Sequence, residues 1–240
     1  MDPLKIAAVI PAYNEASRIE PVIRGAARHV HAVLVVDDAS TDGTAGVSRA
    51  AGAAILAHAR NRGKGRSLRD GLDWGLAQGY DALLALDGDG QHLPEEIPHL
   101  LEALRSGADL VVGNRMTALE TMPWVRRQTN RFMSRLVSKL AGTPVPDTQC
   151  GFRLMTSAFW RAVGPTLRTV GFDFESEILI NGGRMGFRIA SARVSTVYGE
   201  EASHIRPLRD TVRFFRMVLR KWREGTPQGV GFPPSPERRA

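Results

Sequence analysis

The chain has 240 residues, 43% of them hydrophobic, enough to fill one sizeable α/β core. Its 32 Lys and Arg against 25 Asp and Glu give a formal charge of +7, which calls for an anionic partner such as nucleic acid, an acidic membrane or a phosphorylated substrate. A single cysteine, Cys150, excludes a disulfide framework or a thiolate zinc site built from this chain alone and fits a reducing, cytoplasmic setting.

Short apolar, β-prone runs at 5–11, 32–37, 54–58, 82–87 and 109–115 alternate with helix-like stretches at 17–28, 44–51, 67–78 and 94–106. The alternation predicts a mostly parallel, Rossmann-like α/β sheet with helices on both faces. Ser17 and Glu20 have capping-box spacing ahead of the first helix, and Thr41-Asp42-Gly43-Thr44 is turn chemistry ahead of the second. After residue 115 the regular winding ends. A polar loop precedes a basic helical stretch at 126–141, a turn-rich segment at 142–151, helices near 157–168 and 174–184, and a strand near 188–197. An amphipathic helix over 207–224 follows, with Leu208, Val212, Phe215, Leu219 and Trp222 at helical spacing among many arginines. It suits either an anionic membrane surface or docking on the domain with that stripe buried. The tail at 225–240 is Pro, Gly and charge, and is expected to be disordered. No apolar run reaches the roughly 18 residues needed to cross a bilayer, and the N-terminus has no signal-peptide pattern.

The strongest chemical signal is Asp87-Gly88-Asp89-Gly90-Gln91-His92, fed by the apolar run before it at the carboxyl end of a strand, where open α/β sheets bind ligands. In extended backbone, residues 87, 89 and 91 point to one side. Two carboxylates and an amide oxygen there are hard donors suited to Mg²⁺ or Mn²⁺ shared with a diphosphate, and Gly88 and Gly90 leave room for phosphates. A helix-capping turn before Pro94 is the plain alternative. Asp37 and Asp38 end another strand, where carboxylates accept bonds from a base or ribose, or merely cap the next helix. Arg62-Gly63-Lys64-Gly65 is glycine-flanked and suits phosphates, but it lacks the spacing of a P-loop.

The motifs in order are Val9-Ile10-Pro11-Ala12-Tyr13-Asn14-Glu15, Val36-Asp37-Asp38-Ala39-Ser40, Asn61-Arg62-Gly63-Lys64-Gly65, Asp87-Gly88-Asp89-Gly90-Gln91-His92, Gly113-Asn114-Arg115 and Asp147-Thr148-Gln149-Cys150-Gly151-Phe152-Arg153. Together they resemble the family 2 glycosyltransferases over about residues 5 to 220, and among them the dolichyl- and polyprenyl-phosphate sugar synthases such as dolichol-phosphate mannosyltransferases. The resemblance implies a GT-A fold in one domain over 1–224, with a nucleotide-sugar-binding half at 1–115 and an acceptor half at 116–224. It implies that Pro11, Tyr13, Glu15, Asp37 and Asp38 hold the nucleoside and Lys64 the donor. Asp87, Asp89 and Gln91 would hold the metal and diphosphate, and Arg115 a phosphate near the acceptor. The chain departs from some members in carrying Asn114 where Ser is common and in having no transmembrane segment after the catalytic domain.

An inverting transfer from GDP-mannose or a UDP-sugar to a polyprenyl phosphate needs no general base, because the nucleophile is already an anion. Arginines that grip phosphate would position it, and Arg115, Arg126, Arg131 and Arg206 are the candidates. A sugar hydroxyl acceptor would instead need a base, for which Asp173 or Glu175 is placed. A metal-dependent nucleotidyltransferase is a further alternative. A nucleic-acid partner is not expected, since aromatics make up only 7% and do not interleave with the arginines. The enzyme is expected in the cytoplasm, peripherally bound to an anionic membrane surface.

Overall fold

The computed structural model describes residues 4–116, 124–171, 173–196 and 207–225. A strand that is apolar on both sides of its pleat must be covered on both sides, and β1 (Ile6–Ala12) is buried at all seven positions. It pairs in parallel with β2 (Ala32–Asp37) and β4 (Ala82–Ala85), and β3 (Ala54–Ala57) extends the sheet beyond β2. On the other side β6 (Arg153–Thr156) runs antiparallel between β4 and β5 (Leu110–Asn114), and β7 (Ile189–Arg193) lies beside β5. The order is β3-β2-β1-β4-β6-β5-β7, the mostly parallel α/β sheet of the GT-A type.

Helices α1 (Ile19–Ala26), α2 (Thr44–Ala50), α3 (Lys64–Ala77) and α4 (Ile97–Arg105) alternate with the first five strands. α3 lies close on the sheet because Gly71 and Gly75 carry no side chain where they face Val9 and Leu83. The later helices are α5 (Trp124–Ala141), α6 (Ser157–Val163), α7 (Phe174–Arg184) and α8 (Pro207–Glu224). Among the described residues no helix is long and apolar enough to cross a membrane.

Several expectations change. β6 falls where no strand was read, and α6 stops at Val163, five residues short of the expected 168. Ser17 does not cap α1. That helix starts after Arg18, and the Glu15 carbonyl accepts the Arg18 and Ile19 N–H groups, both at 3.0 Å. α8 does dock on the domain, but not through the expected stripe: Phe214, Met217 and Lys221 face inward while Val212, Phe215, Leu219 and Trp222 are exposed. The far end of the expected 188–197 strand, the 226–240 part of the tail and Arg206 lie outside the described residues, as do the side chains of Leu208 and Arg126.

Candidate active site

Three neighbouring strand ends supply the site. Ala12 of β1 pairs with Asp37 of β2, so the loops that follow lie side by side. Asn14 donates its N–H to Ser40 Oγ (2.9 Å) and accepts the Thr41 N–H at Oδ1 (2.8 Å), while the Glu15 N–H reaches Thr44 Oγ1 (2.9 Å). These bonds hold Asn14 and Ala39 at φ 57° and 65°, a conformation that costs a non-glycine residue about 1 kcal/mol. Pro11 is buried in β1, Tyr13 stands exposed at the loop, and Glu15 is buried against Arg18 (2.7 Å).

Asp37 and Asp38 do different things. Asp37 Oδ1 accepts the Ser40 N–H at 3.1 Å and shapes its own turn. Asp38 reaches across: its carboxylate accepts the N–H groups of Arg62 (2.8 Å) and Gly63 (2.7 Å) and lies 2.6 Å from His58 Nδ1. His58 Nε2 in turn lies 3.1 Å from Asp70. Asp38 therefore folds the 58–63 loop that leads α3 into the site. His58 and Asp70 were not singled out in the sequence, and nothing in their spacing marks them.

The third strand end carries the centre. Gly63 at φ 89° turns the chain so that α3 begins at Lys64, whose Nζ lies 2.8 and 2.9 Å from Asp87 Oδ1 and Oδ2 and 3.6 Å from Glu175 Oε1. Burial is the largest single effect and opposes charge on both Lys64 and Asp87, but their mutual attraction together with the other charges around them outweighs it. Glu175 and Asp89 hold the Lys64 ammonium further above the ordinary lysine range, and Arg115 helps to hold the Asp87 carboxyl below the ordinary carboxylate range. Two close approaches fix the walls. A Cβ at Gly151 would come 2.5 Å from Asp87 Oδ2, and a Cβ at Gly65 would come 2.6 Å from the Val170 carbonyl oxygen.

Residues 87, 89 and 91 do not lie along an extended strand. β4 ends at Ala85, and the chain turns over residues 88–90 with Gly90 at φ 76° and Asp89 Oδ1 accepting the Gln91 N–H at 3.0 Å. Among the described residues no three His, Cys, Asp or Glu side chains form a metal cage. Asp87 nevertheless grips a cation with both oxygens. A hard divalent ion fits this donor set if further ligands come from a substrate.

Arg115 sits at the end of β5 and is gripped by a buried partner. Its Nε and Nη2 lie 2.7 and 2.9 Å from the two oxygens of Asp147, which also accepts the Arg115 N–H (3.2 Å) and is 0% exposed. Asp147 opens the Asp147–Arg153 motif, but nothing in the sequence marks it as the partner of Arg115.

The model of the family described as "Glycosyl transferase family 2" matches residues 7–162, more than half of the chain. The chain belongs to glycosyltransferase family 2. It is 32% identical to an undecaprenyl-phosphate mannosyltransferase of Micrococcus luteus, over 82% of this chain and 85% of that one. It is 35% identical to a polyprenol monophosphomannose synthase of Mycolicibacterium smegmatis, over 78% and 75%. Among solved structures, the glucosyl-3-phosphoglycerate synthase of Mycobacterium tuberculosis in complex with Mn²⁺, UDP and glucosyl-3-phosphoglycerate superposes with a TM-score of 0.70 at 23% identity, over 97% of this chain and 82% of that one. The fold is shared with that enzyme.

Two of the arginine candidates of this glycosyltransferase, Arg115 and Arg131, have described side chains. Arg115 is paired with Asp147, and Arg131 is exposed on α5. Behind the site Arg153 is buried and satisfied by carbonyls alone, those of Cys150, Glu175 and Thr148 at 2.6–2.9 Å, so it braces the 148–153 segment against α7. His92 stacks on Phe152, with ring centroids 5.4 Å apart, and its Nε2 lies 3.9 Å from Cys150 Sγ. Burial lowers His92 to about 4 and raises the Cys150 thiol to about 12. Cys150 is therefore expected to ignore an aromatic disulfide reagent at pH 8 in the native glycosyltransferase and to react fully once denaturant unfolds it. Rapid labelling of the native protein would contradict this burial.

Proposed function

We propose that this glycosyltransferase moves a sugar from a nucleotide donor, GDP-mannose or a UDP-sugar, to a polyprenyl phosphate with inversion. The observation that carries the reading is the cation place at Asp87, where both carboxylate oxygens hold the Lys64 ammonium at the carboxyl end of β4. The two relatives described above are named an undecaprenyl-phosphate mannosyltransferase and a polyprenol monophosphomannose synthase, and they match over most of this chain.

Asp87, Asp89 and Gln91 would hold Mg²⁺ or Mn²⁺, which would neutralise charge building on the departing diphosphate. Lys64 lies beside that place and is suited to the same phosphates. Pro11 and Asp37 at the ends of β1 and β2, with Tyr13 and Glu15 in the loop after β1, would hold the nucleoside, and Asp38 sets the loop that carries Lys64. A phosphate oxygen of the lipid forms the bond to the anomeric carbon as the bond to the diphosphate breaks. The nucleoside diphosphate leaves with the electron pair, and no proton has to be removed. Arg115, held against Asp147 yet close enough to act on Asp87, would orient an acceptor phosphate through the loop it anchors. The acceptor would be reached from the cytoplasm by an enzyme lying on an anionic membrane surface.

The test is a donor panel of GDP-mannose, UDP-glucose and UDP-N-acetylglucosamine with Mn²⁺ or Mg²⁺ and a polyprenyl phosphate, scored for nucleoside diphosphate. Pyrophosphate from a nucleoside triphosphate, with no donor used, would make it a nucleotidyltransferase instead. Glu175 decides the class of acceptor. It is buried with Oε1 3.6 Å from Lys64, which suits a countercharge more than a free base. Glu175→Gln is expected to retain single-turnover transfer to polyprenyl phosphate within about tenfold of wild type. Complete loss of chemistry, with donor affinity intact, would favour a hydroxyl acceptor.

A further inference from the structure

α8 has two unlike sides. Inward, Phe214 and Met217 fill the core, and Lys221 lies buried with its ammonium 3.0 Å from Glu177 Oε1; Arg220 Nη2 lies 2.7 Å from the same oxygen. Outward, Val212, Phe215, Leu219 and Trp222 are 46–71% exposed, an apolar stripe roughly a third of a turn from the buried side, with Arg216 and Arg223 beside it. Such a row of large apolar residues is costly in water unless something covers it. The flanking arginines fit an anionic, apolar-cored surface.

The inward side leads to the active site. Glu177 is fully buried, and its other oxygen, Oε2, accepts the N–H groups of Arg168 (2.9 Å) and Thr169 (2.8 Å) and the Thr169 hydroxyl (2.8 Å). One carboxylate thus joins α8 to the 168–171 loop. Arg213 of α8 adds a second tie, its guanidinium lying against Gly171 and its charge acting on Asp173, and Arg168 meets Glu224 at 3.5 Å. The Val170 and Gly171 carbonyls of that loop press on Gly65, the residue after Lys64.

We propose that the outer face of α8 docks on an anionic lipid bilayer, and that Glu177 is the positioning residue through which docking steadies the 168–171 loop and hence Lys64. The proposal rests on the reading that the acceptor is a membrane lipid phosphate. It adds that the membrane sets the site as well as supplying the acceptor.

The test uses the full chain with vesicles of phosphatidylcholine alone or mixed with phosphatidylglycerol. It is read by sedimentation, by amide exchange at residues 168–169, and by transfer to a short, water-soluble prenyl phosphate. Wild type is expected to sediment with the anionic vesicles only, and less at raised salt. On those vesicles, exchange at 168–169 should slow and soluble transfer should rise, each by about tenfold. The exposed pair Phe215→Ser with Trp222→Ser should abolish sedimentation and the vesicle effect while leaving soluble transfer unchanged. Glu177→Gln should still sediment but show rapid 168–169 exchange that vesicles no longer slow. Should that variant fail to fold, Arg220→Ala, which keeps the Lys221 contact, should show the same loss in part. Equal binding to neutral vesicles, or docking of wild type with no change at 168–169, would overturn the proposal. If the soluble prenyl phosphate is never used, the acceptor reading fails, and sedimentation and exchange still decide this one.

Discussion

Replacing Asp89 by alanine is expected to cut sugar transfer about a thousandfold or more while leaving the unfolding temperature within a few degrees of wild type. Asp89 is partly exposed, and its carboxylate accepts a local bond from the Gln91 N–H two residues on. Losing such a turn bond costs about 1 kcal/mol. Its carboxylate would matter when a divalent ion and a diphosphate meet beside Lys64. Asp87→Ala is a less clean test, because it strips Lys64 of its closest partner and leaves that ammonium with only Glu175 and Asp89 to balance it. Mn²⁺ binding followed by electron paramagnetic resonance, alongside transfer, separates lost metal from lost fold. Undiminished transfer by Asp89→Ala, or by wild type in excess chelator, would remove the metal from the reaction.

Arg115→Ala is expected to cost about 3–5 kcal/mol of stability, because it strands Asp147 as a buried charge. The Arg115 N–H and the Gln149 N–H would remain as donors to that carboxylate, and they carry no full charge to offset it. Adding Asp147→Asn should restore much of the loss, since a neutral amide needs no counterion, and the four proteins form a double-mutant cycle read by urea unfolding. Wild-type stability in the single variant would show that the pair contributes little. The doubly substituted protein, once shown to fold, is also the proper one in which to titrate a polyprenyl phosphate. Weakened acceptor use there, with donor affinity kept, would assign Arg115 to the acceptor side.

The first half of the fold was legible because each strand carries its own signal. The runs that became β1, β2 and β4 are apolar on both sides of the pleat, and two of them lead into the aspartates of the site. β6 was not legible. It is four residues long and begins with Arg153, a side chain that reads as surface but is buried, with two carbonyls of the preceding turn, Thr148 and Cys150, and one of α7, Glu175, converging on it. Ser17 failed as a cap because the loop before α1 is tied to the loop after β2, contacts across 26 to 29 residues that local spacing does not encode. Asp87 and Lys64 were each visible as motif residues, but their meeting required the turn at Gly63 and the gap left at Gly151. On α8 helical spacing found an apolar stripe but left open whether it faces the domain or a membrane, because both sides carry large apolar residues. Tertiary contacts set which one faces in, among them the pairing of Lys221 and Arg220 with the buried Glu177.

The place of β6 between β4 and β5 also bears on how the chain comes off the ribosome. When β4 has emerged, one of its edges has no partner until Arg153–Thr156 follows, with all of residues 86–152 made in between. During that interval a bare apolar strand edge is open to pairing with other chains. Translation stalled anywhere in that interval would release a fragment prone to clump, and a chaperone that shields strand edges would have its greatest effect there.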